Sequence, residues 1–568
     1  MQRFMAVCFM VFLVAPGFSH AQTERKISYK EYFDKVHGGW TGKALGLALG
    51  VPKEFTEPWP PSPSEYFAQI PDHFSDLVSG DDEYVPLVGQ LALKEYGIHA
   101  TQEQFLQEWD KRLFSGRIWV SCDYALDLYR AGIKPPLTGS PGYNDYWYDM
   151  AAQMSTDHLG WSAPGLINVA AAMGDSLSHT INWGVGADGG VFVAALDSEA
   201  FFTSDIEELI RRARAVLPAH SRYGEMVDEL LRLHKEQPDW RMARQWWAKK
   251  YSTGVNFYDL TGLTQGAVVV LALLYGDGDF AKSLLISEKC TWDSDTNPAT
   301  VGGVLGTVIG FSHIDPRWRM VLHDTYENYC IRGLPHWMTF SEITRDTLEI
   351  GEQVIKENGG QVYGREEDRV FTIPFQEPKM LARQEKVTAE LVAQNQRELE
   401  QYFRDRLKGV TEKWDSQWKM VLASFETPPE VLPNYFGRAT VLKAQPGPRG
   451  VVLERTVALA PAKHHYLRVG VAHRPPVLCE ATGQQEFGSW QLEVQVDGKK
   501  IADYSVSTHD GMVVWEDPQF DLTPYAGKTV RLSLIARQVR EEVFYRASFT
   551  SYWSGAEIIS LDQPEPWR

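Results

Sequence analysis

The sequence predicts a multidomain protein in which an all-α body is followed by a β-sandwich of the jelly-roll kind. Three observations carry that prediction. From Lys30 to about Gly360 apolar residues recur at helical spacing, and strand-like alternation is nearly absent. After Thr427-Pro428-Pro429 the hydrophobic period switches to two. Finally, 568 residues, 44% hydrophobic and 23% charged, suffice for several ordinary domains with packed cores.

Taken in order, Met1–Ala21 has the make-up of an export signal. Arg3 precedes an apolar stretch from Phe4 to Val14, and Ser19-His20-Ala21 precede Gln22. Cleavage after Ala21 and a secreted or periplasmic protein are the expectation. No later segment runs 18 apolar residues, so no membrane span is expected. The helical body is expected over 22–360. Its clearest segments are Glu31–Leu49, Tyr84–Tyr96, Ala187–Phe202, Asp205–Val216, Tyr223–Lys235 and Leu263–Tyr275. Glu57–Pro71, with five prolines, is expected as an ordered surface loop. Residues 361–427 are expected as a linker and one long charged helix, Leu381–Lys408.

The sandwich is expected over 428–568. Trp490, Leu492, Val494 and Val496 alternate with polar residues, and Asp497-Gly498 supplies a hairpin turn into Ile501–Val506. Further strand runs are Val451–Val457, His465–Val471, Thr529–Ile535 and Phe544–Tyr552. Lys+Arg 56 against Asp+Glu 74 leaves a net charge of −18, which disfavours a nucleic-acid partner. Cys122, Cys290, Cys330 and Cys479 follow no metal-ligand spacing and are expected mostly as buried free thiols or one optional bridge.

Three acidic clusters lie at loop–helix junctions. Glu54 follows a helix with Gly38, Gly42, Gly46 and Gly50, a spacing that lines one helical face and lets another backbone approach. Asp81-Asp82 open a second helix, flanked by Gly80 and Glu83. Asp293-Ser294-Asp295-Thr296-Asn297-Pro298 open a third, which carries Gly302, Gly303, Gly306 and Gly310. Acidic residues at helix N-termini also arise from capping alone. Two such pairs in a cleft, however, require protons or a cation, and oxygen-only donors favour a hard ion such as Mg²⁺.

In that order, Gly-x-x-x-Gly-x-x-Leu-Gly-x-Pro-x-Glu, the paired-Asp helix start and Asp-x-Asp-Thr-Asn before a glycine-rich helix resemble the ADP-ribosylglycohydrolase family. Ser176-Leu177-Ser178-His179, the helix with Val191–Ala195, and Gly278-Asp279-Phe280 are similar to that family's intervening segments. The resemblance spans about residues 30–320. It implies an all-helical fold, two bound Mg²⁺ ions and cleavage of a glycosidic bond. By position it implies that Glu54, Asp81, Asp82, Asp293, Asp295 and Thr296 form the metal site. Glu54 is the expected catalytic carboxyl, because the Asp residues are committed to metal, or equally a ligand through water. His179 and Trp292 are implied beside the substrate, His179 alternatively as a hydrogen-bonded residue between helices. The family's usual Thr-Asp-Asp-Thr is Gly80-Asp81-Asp82-Glu83 here, and its glycine before Asp-x-Asp is Trp292.

Phe520–Lys528 and Trp553–Ile558 look like galactose-binding-type jelly-roll modules. Trp490, Trp515, Tyr525, Tyr545, Tyr552 and Trp553 are the rings that either bind carbohydrate or pack the core. The expectation is therefore an exported Mg²⁺-dependent glycosidase with a carbohydrate substrate. An ADP-ribosyl or other N-riboside hydrolase and a non-catalytic glycan-binding protein are the alternatives.

Overall fold

The computed structural model describes residues 24–564 except 55–79, 115–116, 131, 142, 145, 252–259, 291–292, 383–388, 395–396, 398–406, 408–409, 423–428, 436, 445–449, 474–476, 479–484, 487–488, 508–513 and 539–550. Helices Tyr29–Gly50, Asp81–Tyr96, Val185–Glu199, Ile206–Val216, Arg222–Glu236 and Gly262–Gly276 occupy the six segments with helical periodicity. Four of them start on a side-chain cap. Ser28, Asp205, Ser221 and Thr261 each accept a backbone N–H three residues on, at 3.0–3.2 Å. Helix Gly262–Gly276 is buried on every side, which explains its unbroken apolar run. The export-signal segment and the Glu57–Pro71 loop lie outside the described residues, as does most of Leu381–Lys408, of which 389–394 are helical. No described helix is long and apolar enough to cross a membrane.

Two features of the helical body depart from the sequence pattern. Glu24–Ser28 is a strand, and it pairs antiparallel with Val370–Pro374, which pairs in turn with Gln361–Tyr363. The stretch expected as linker therefore begins as part of a small sheet on the helical body. Alternation hides this strand because one of its two inward residues, Arg25 beside Ile27, is charged. Arg25 donates to both oxygens of buried Glu199 at 2.9 and 3.0 Å, and Arg212 donates to Glu199 at 2.7 Å.

The C-terminal region forms two five-stranded antiparallel sheets. One runs Gln519–Asp521, His464–His473, Ser551–Leu561, Arg438–Ala444, Glu430–Tyr435; the other runs Lys499–Ser507, Ser489–Val496, Thr529–Gln538, Val451–Ala458, Lys419–Leu422. Asp497 and Gly498 both take positive φ (50° and 81°), the two-residue turn their sequence predicts. Trp490 and Trp553 meet at 5.3 Å and are wholly buried, and Tyr552 is buried as well. These three rings are core and offer no face to a ligand. Trp515 and Tyr525 are half-buried, and Tyr545 lies outside the described residues. Tyr124, Leu128, Ile133 and Leu137 of the helical body belong to the same apolar cluster as the sandwich core. Cys122, Cys290 and Cys330 are free thiols, the first two buried.

Candidate functional site

Glycine spacing builds the site. Helix Tyr29–Gly50 runs antiparallel to helix Thr296–Ile309 with almost no side chain between them. A methyl group on Gly38, Gly42 or Gly46 would lie 2.2, 2.1 or 2.1 Å from the carbonyl oxygens of Gly306, Gly302 and Pro298 respectively. On Gly50 it would lie 1.8 Å from the Ser294 carbonyl oxygen. Only glycine permits this approach, and it delivers the end of one helix to the start of the other. The chain then makes a short turn, Val51–Lys53, that sets Glu54 at the mouth, and the Ser294 hydroxyl donates to the Lys53 carbonyl at 3.4 Å.

The third segment arrives through helix Asp81–Tyr96. Its Asp82 accepts from the Thr296 hydroxyl at 3.2 Å. Asn297 braces the Asp-x-Asp turn by donating to the backbone carbonyl of Asp293 (2.9 Å) and to Gln265 on the buried helix behind it (2.7 Å). Asp82, Asp293, Asp295 and Thr296 are buried, while Glu54 and Asp81 are half-buried. Five carboxyl groups thus share one pocket.

Their mutual repulsion shows in their proton affinities. Burial, then the Asp295, Asp293, Asp81 and Asp82 charges, push the Glu54 carboxyl up to about 11. Burial and Asp295 push Asp81 to about 7, against the backbone N–H that Trp119 donates to it. Asp82 and Asp293 stand well above the usual carboxylate range, through burial first and the Asp295 charge second. Asp295 is raised by burial and shares a hydrogen bond with Asp293.

Lys43 is the group that motif reading missed. It is wholly buried, donates to Asp157 at 2.9 Å and to the Met154 carbonyl at 3.1 Å, and its charge lowers Asp82 and the buried Glu83. A lysine amid the glycine and alanine of a helix buried on all sides is the signal that marks it. One ammonium, already paired with Asp157, cannot neutralise five further carboxyls.

Among the described residues no three acidic, histidine or cysteine side chains are spaced to grip an ion. The donor chemistry nevertheless fits one. The set is all oxygen, and Asp82 Oδ1 and Asp295 Oδ1 are buried with no hydrogen-bond partner among the described residues. A consequence for stability follows. An unfolded carboxyl titrates near about 4, below folded Asp81 at about 7 and Glu54 at about 11. Between those values the folded state holds the extra protons, so ion-free stability falls as pH rises from about 4 through about 7 and beyond. Thermal unfolding in EDTA is therefore expected to give a midpoint that drops between about pH 5 and about pH 8. Mg²⁺ is expected to raise the midpoint more at the higher pH. A midpoint insensitive to both would contradict a shared acidic pocket.

His179 Nδ1 faces the Asp175 carbonyl at 2.9 Å, and its ring meets Trp183 edge-on at 4.7 Å. These neighbours sit on its own helix, Ile167–Ile181, and just beyond it. Trp292 lies outside the described residues. Asp149 was not singled out from the sequence. It is buried, accepts from Trp119 Nε1 (2.8 Å), Ser121 Oγ (2.6 Å) and Asn182 Nδ2 (2.8 Å), and so fixes the segment whose N–H reaches Asp81.

A family model described as ADP-ribosylglycohydrolase matches residues 28–349 of this chain, the whole span that bears the carboxyl pocket. Among solved structures, an "ADP-ribosylglycohydrolase-related protein complex" is 16% identical, with 57% of this chain and 99% of that chain covered and a TM-score of 0.41. "TmCBM61 in complex with beta-1,4-galactotriose" is 14% identical, covering 27% of this chain and 97% of that one at a TM-score of 0.19. A cyclase from Fischerella sp. TAU is 13% identical over 26% of this chain and 76% of that one, at a TM-score of 0.17. Comparison with curated proteins gives no match.

Proposed function

Because the chain belongs to the ADP-ribosylglycohydrolase family, we propose that it is an exported, Mg²⁺-dependent glycoside hydrolase acting on a carbohydrate. Membership supports a hydrolase of glycosyl bonds. The finer reading rests on one observation, the convergence of Glu54, Asp81, Asp82, Asp293 and Asp295 from three separate segments onto a single oxygen-lined pocket. Asp81, Asp82, Asp293, Asp295 and the Thr296 hydroxyl would hold Mg²⁺, two ions by the family resemblance. When bound, the metal supplies Lewis-acid stabilisation of charge on the sugar oxygens.

The chain's own residues supply the rest. Glu54 ends a short turn at the mouth and is half-buried, so a substrate reaches it. As an acid it gives its proton to the departing glycosidic oxygen; as a carboxylate it takes one from the attacking water. The packed helix pair holds the Asp-x-Asp turn rigid beside it, and buried Asp149 and Trp119 hold Asp81. Export and the attached sandwich favour a glycan over intracellular ADP-ribosylated protein. Trp292, in place of a glycine, adds an indole on which a sugar ring would stack.

The experiment is a hydrolysis assay of a panel of aryl glycosides against ADP-ribosyl-arginine, with Mg²⁺ and with EDTA. Metal-dependent release from an aryl glycoside, with ADP-ribosyl-arginine left intact, is expected. Release from ADP-ribosyl-arginine alone would replace the carbohydrate reading with de-ADP-ribosylation.

A further inference from the structure

Beside the carboxyl pocket stands a hairpin loop, residues 326–338, whose two short strands Tyr326–Glu327 and Trp337–Met338 pair antiparallel. It carries large rings in water, where a packed protein seldom leaves them. Tyr329 is 54% exposed and Trp337 58%, with His336 between them, ring centroids 5.6 Å and 4.9 Å away. Tyr329 and His336 are held in place. Glu327 accepts from the Tyr329 hydroxyl and lies 3.0 Å from His336 Nε2. Buried Asn328 donates from one amide to the carbonyls of Ile331, Leu334 and Pro335 at 2.9–3.3 Å, which closes the loop on itself.

The loop is also fastened to the end of helix Gln102–Arg112. Arg332 and Arg112 exchange contacts, N–H to carbonyl at 3.0 Å and guanidinium to carbonyl at 3.1 Å, and the Arg332 guanidinium lies 4.0 Å over the exposed Phe114 ring. Cys330, next to Tyr329, is hydrogen-bonded to Tyr84, one turn along the helix that Asp81 opens, and feels the Asp81 charge. The aromatic loop therefore lies next to the segment that carries Asp81.

We propose that this loop is a saccharide-binding platform, on which Trp337 and Tyr329 stack a further ring of a glycan whose scissile bond lies at the pocket. The proposal rests on the carbohydrate reading of that pocket. A preformed aromatic face flanked by Glu327, His336 and Arg332 pairs an apolar surface for sugar C–H groups with polar partners for hydroxyls. Exposed rings held rigid lose little freedom on binding, which favours a ligand over a packing role.

The test is native electrophoresis of the full chain in gels containing soluble galactan, xylan or polygalacturonate. At least one polymer is expected to retard the wild type. Trp337→Ala and Tyr329→Ala, both truncations of exposed side chains, should each weaken that retardation about tenfold, while Asp293→Asn should keep it. Circular dichroism melts of the variants should match wild type. Undiminished retardation of the double variant would place any glycan affinity elsewhere, on the sandwich for instance, and overturn the proposal. So would a wild type that no polymer retards, even if it hydrolyses an aryl glycoside. Retardation lost with Trp337 in a protein that cleaves no glycoside would instead leave the platform standing and refute the catalytic reading.

Discussion

Asp293→Ala and Asp295→Ala are each expected to lower metal-dependent turnover by about 10²–10³-fold or more, without unfolding the helical body. Each removes one oxygen donor from a set built of nothing else, so the charge stabilisation that an ion would supply is lost. Stability should move the other way. Both carboxyls are buried, and each is raised by burial or by its acidic neighbours, so deleting one relieves repulsion in the ion-free protein. The Asp-x-Asp turn survives because Asn297 holds it through the backbone carbonyl of Asp293, which alanine retains. The unfolding midpoint in EDTA should therefore stay level or rise, and the gain on adding Mg²⁺ should vanish. Variants that keep full turnover, or lose it only because they unfold, would count against a metal role for this pair.

Gly42→Ala is expected to produce a large loss of stability. The new carbon would sit 2.1 Å from the Gly302 carbonyl oxygen, and both partners are backbone, so no side chain can swing aside. The helices must part, at a cost of about 3 kcal/mol, or a fall in midpoint on the order of 4 °C. Activity should fall further than stability does. The same helix pair sets Glu54 against Asp293 and Asp295, and a displacement of about 1 Å at a reacting group can cost about 10²-fold. Gly555→Ala is the control, since a methyl group there meets nothing within 4 Å, and differential scanning calorimetry of the two variants checks the contrast. Equal midpoints for Gly42→Ala and wild type would show that the helices are not packed backbone to backbone.

Legibility varied with how local each cause is. The six helical segments were legible because amphipathic or wholly apolar repeats announce themselves within one or two turns, and Asp497-Gly498 announced its turn within two residues. The strand Glu24–Ser28 was not. One of its two buried positions belongs to Arg25, whose charge is met by Glu199, far along the chain. Likewise the rings of the sandwich are identical in kind along the sequence, yet Trp490 and Trp553 are core whereas Trp515 is half-buried. Composition could count them but could not sort them.

The same division runs through the site. By itself the sequence determined that two glycine-lined helices and three acidic helix junctions exist, since spacing and residue type are local properties. It also determined the family, because motif order lies along the chain. Only the tertiary structure decided that the three junctions meet. It decided too that Lys43 and Asp149 stand behind them, and that an aromatic loop near the end of the helical body flanks Asp81. The physical reason is that the acidity of a carboxyl, and whether a ring is core or surface, are set by neighbours hundreds of residues away. Such neighbours leave no trace in the spacing of the residues they act on.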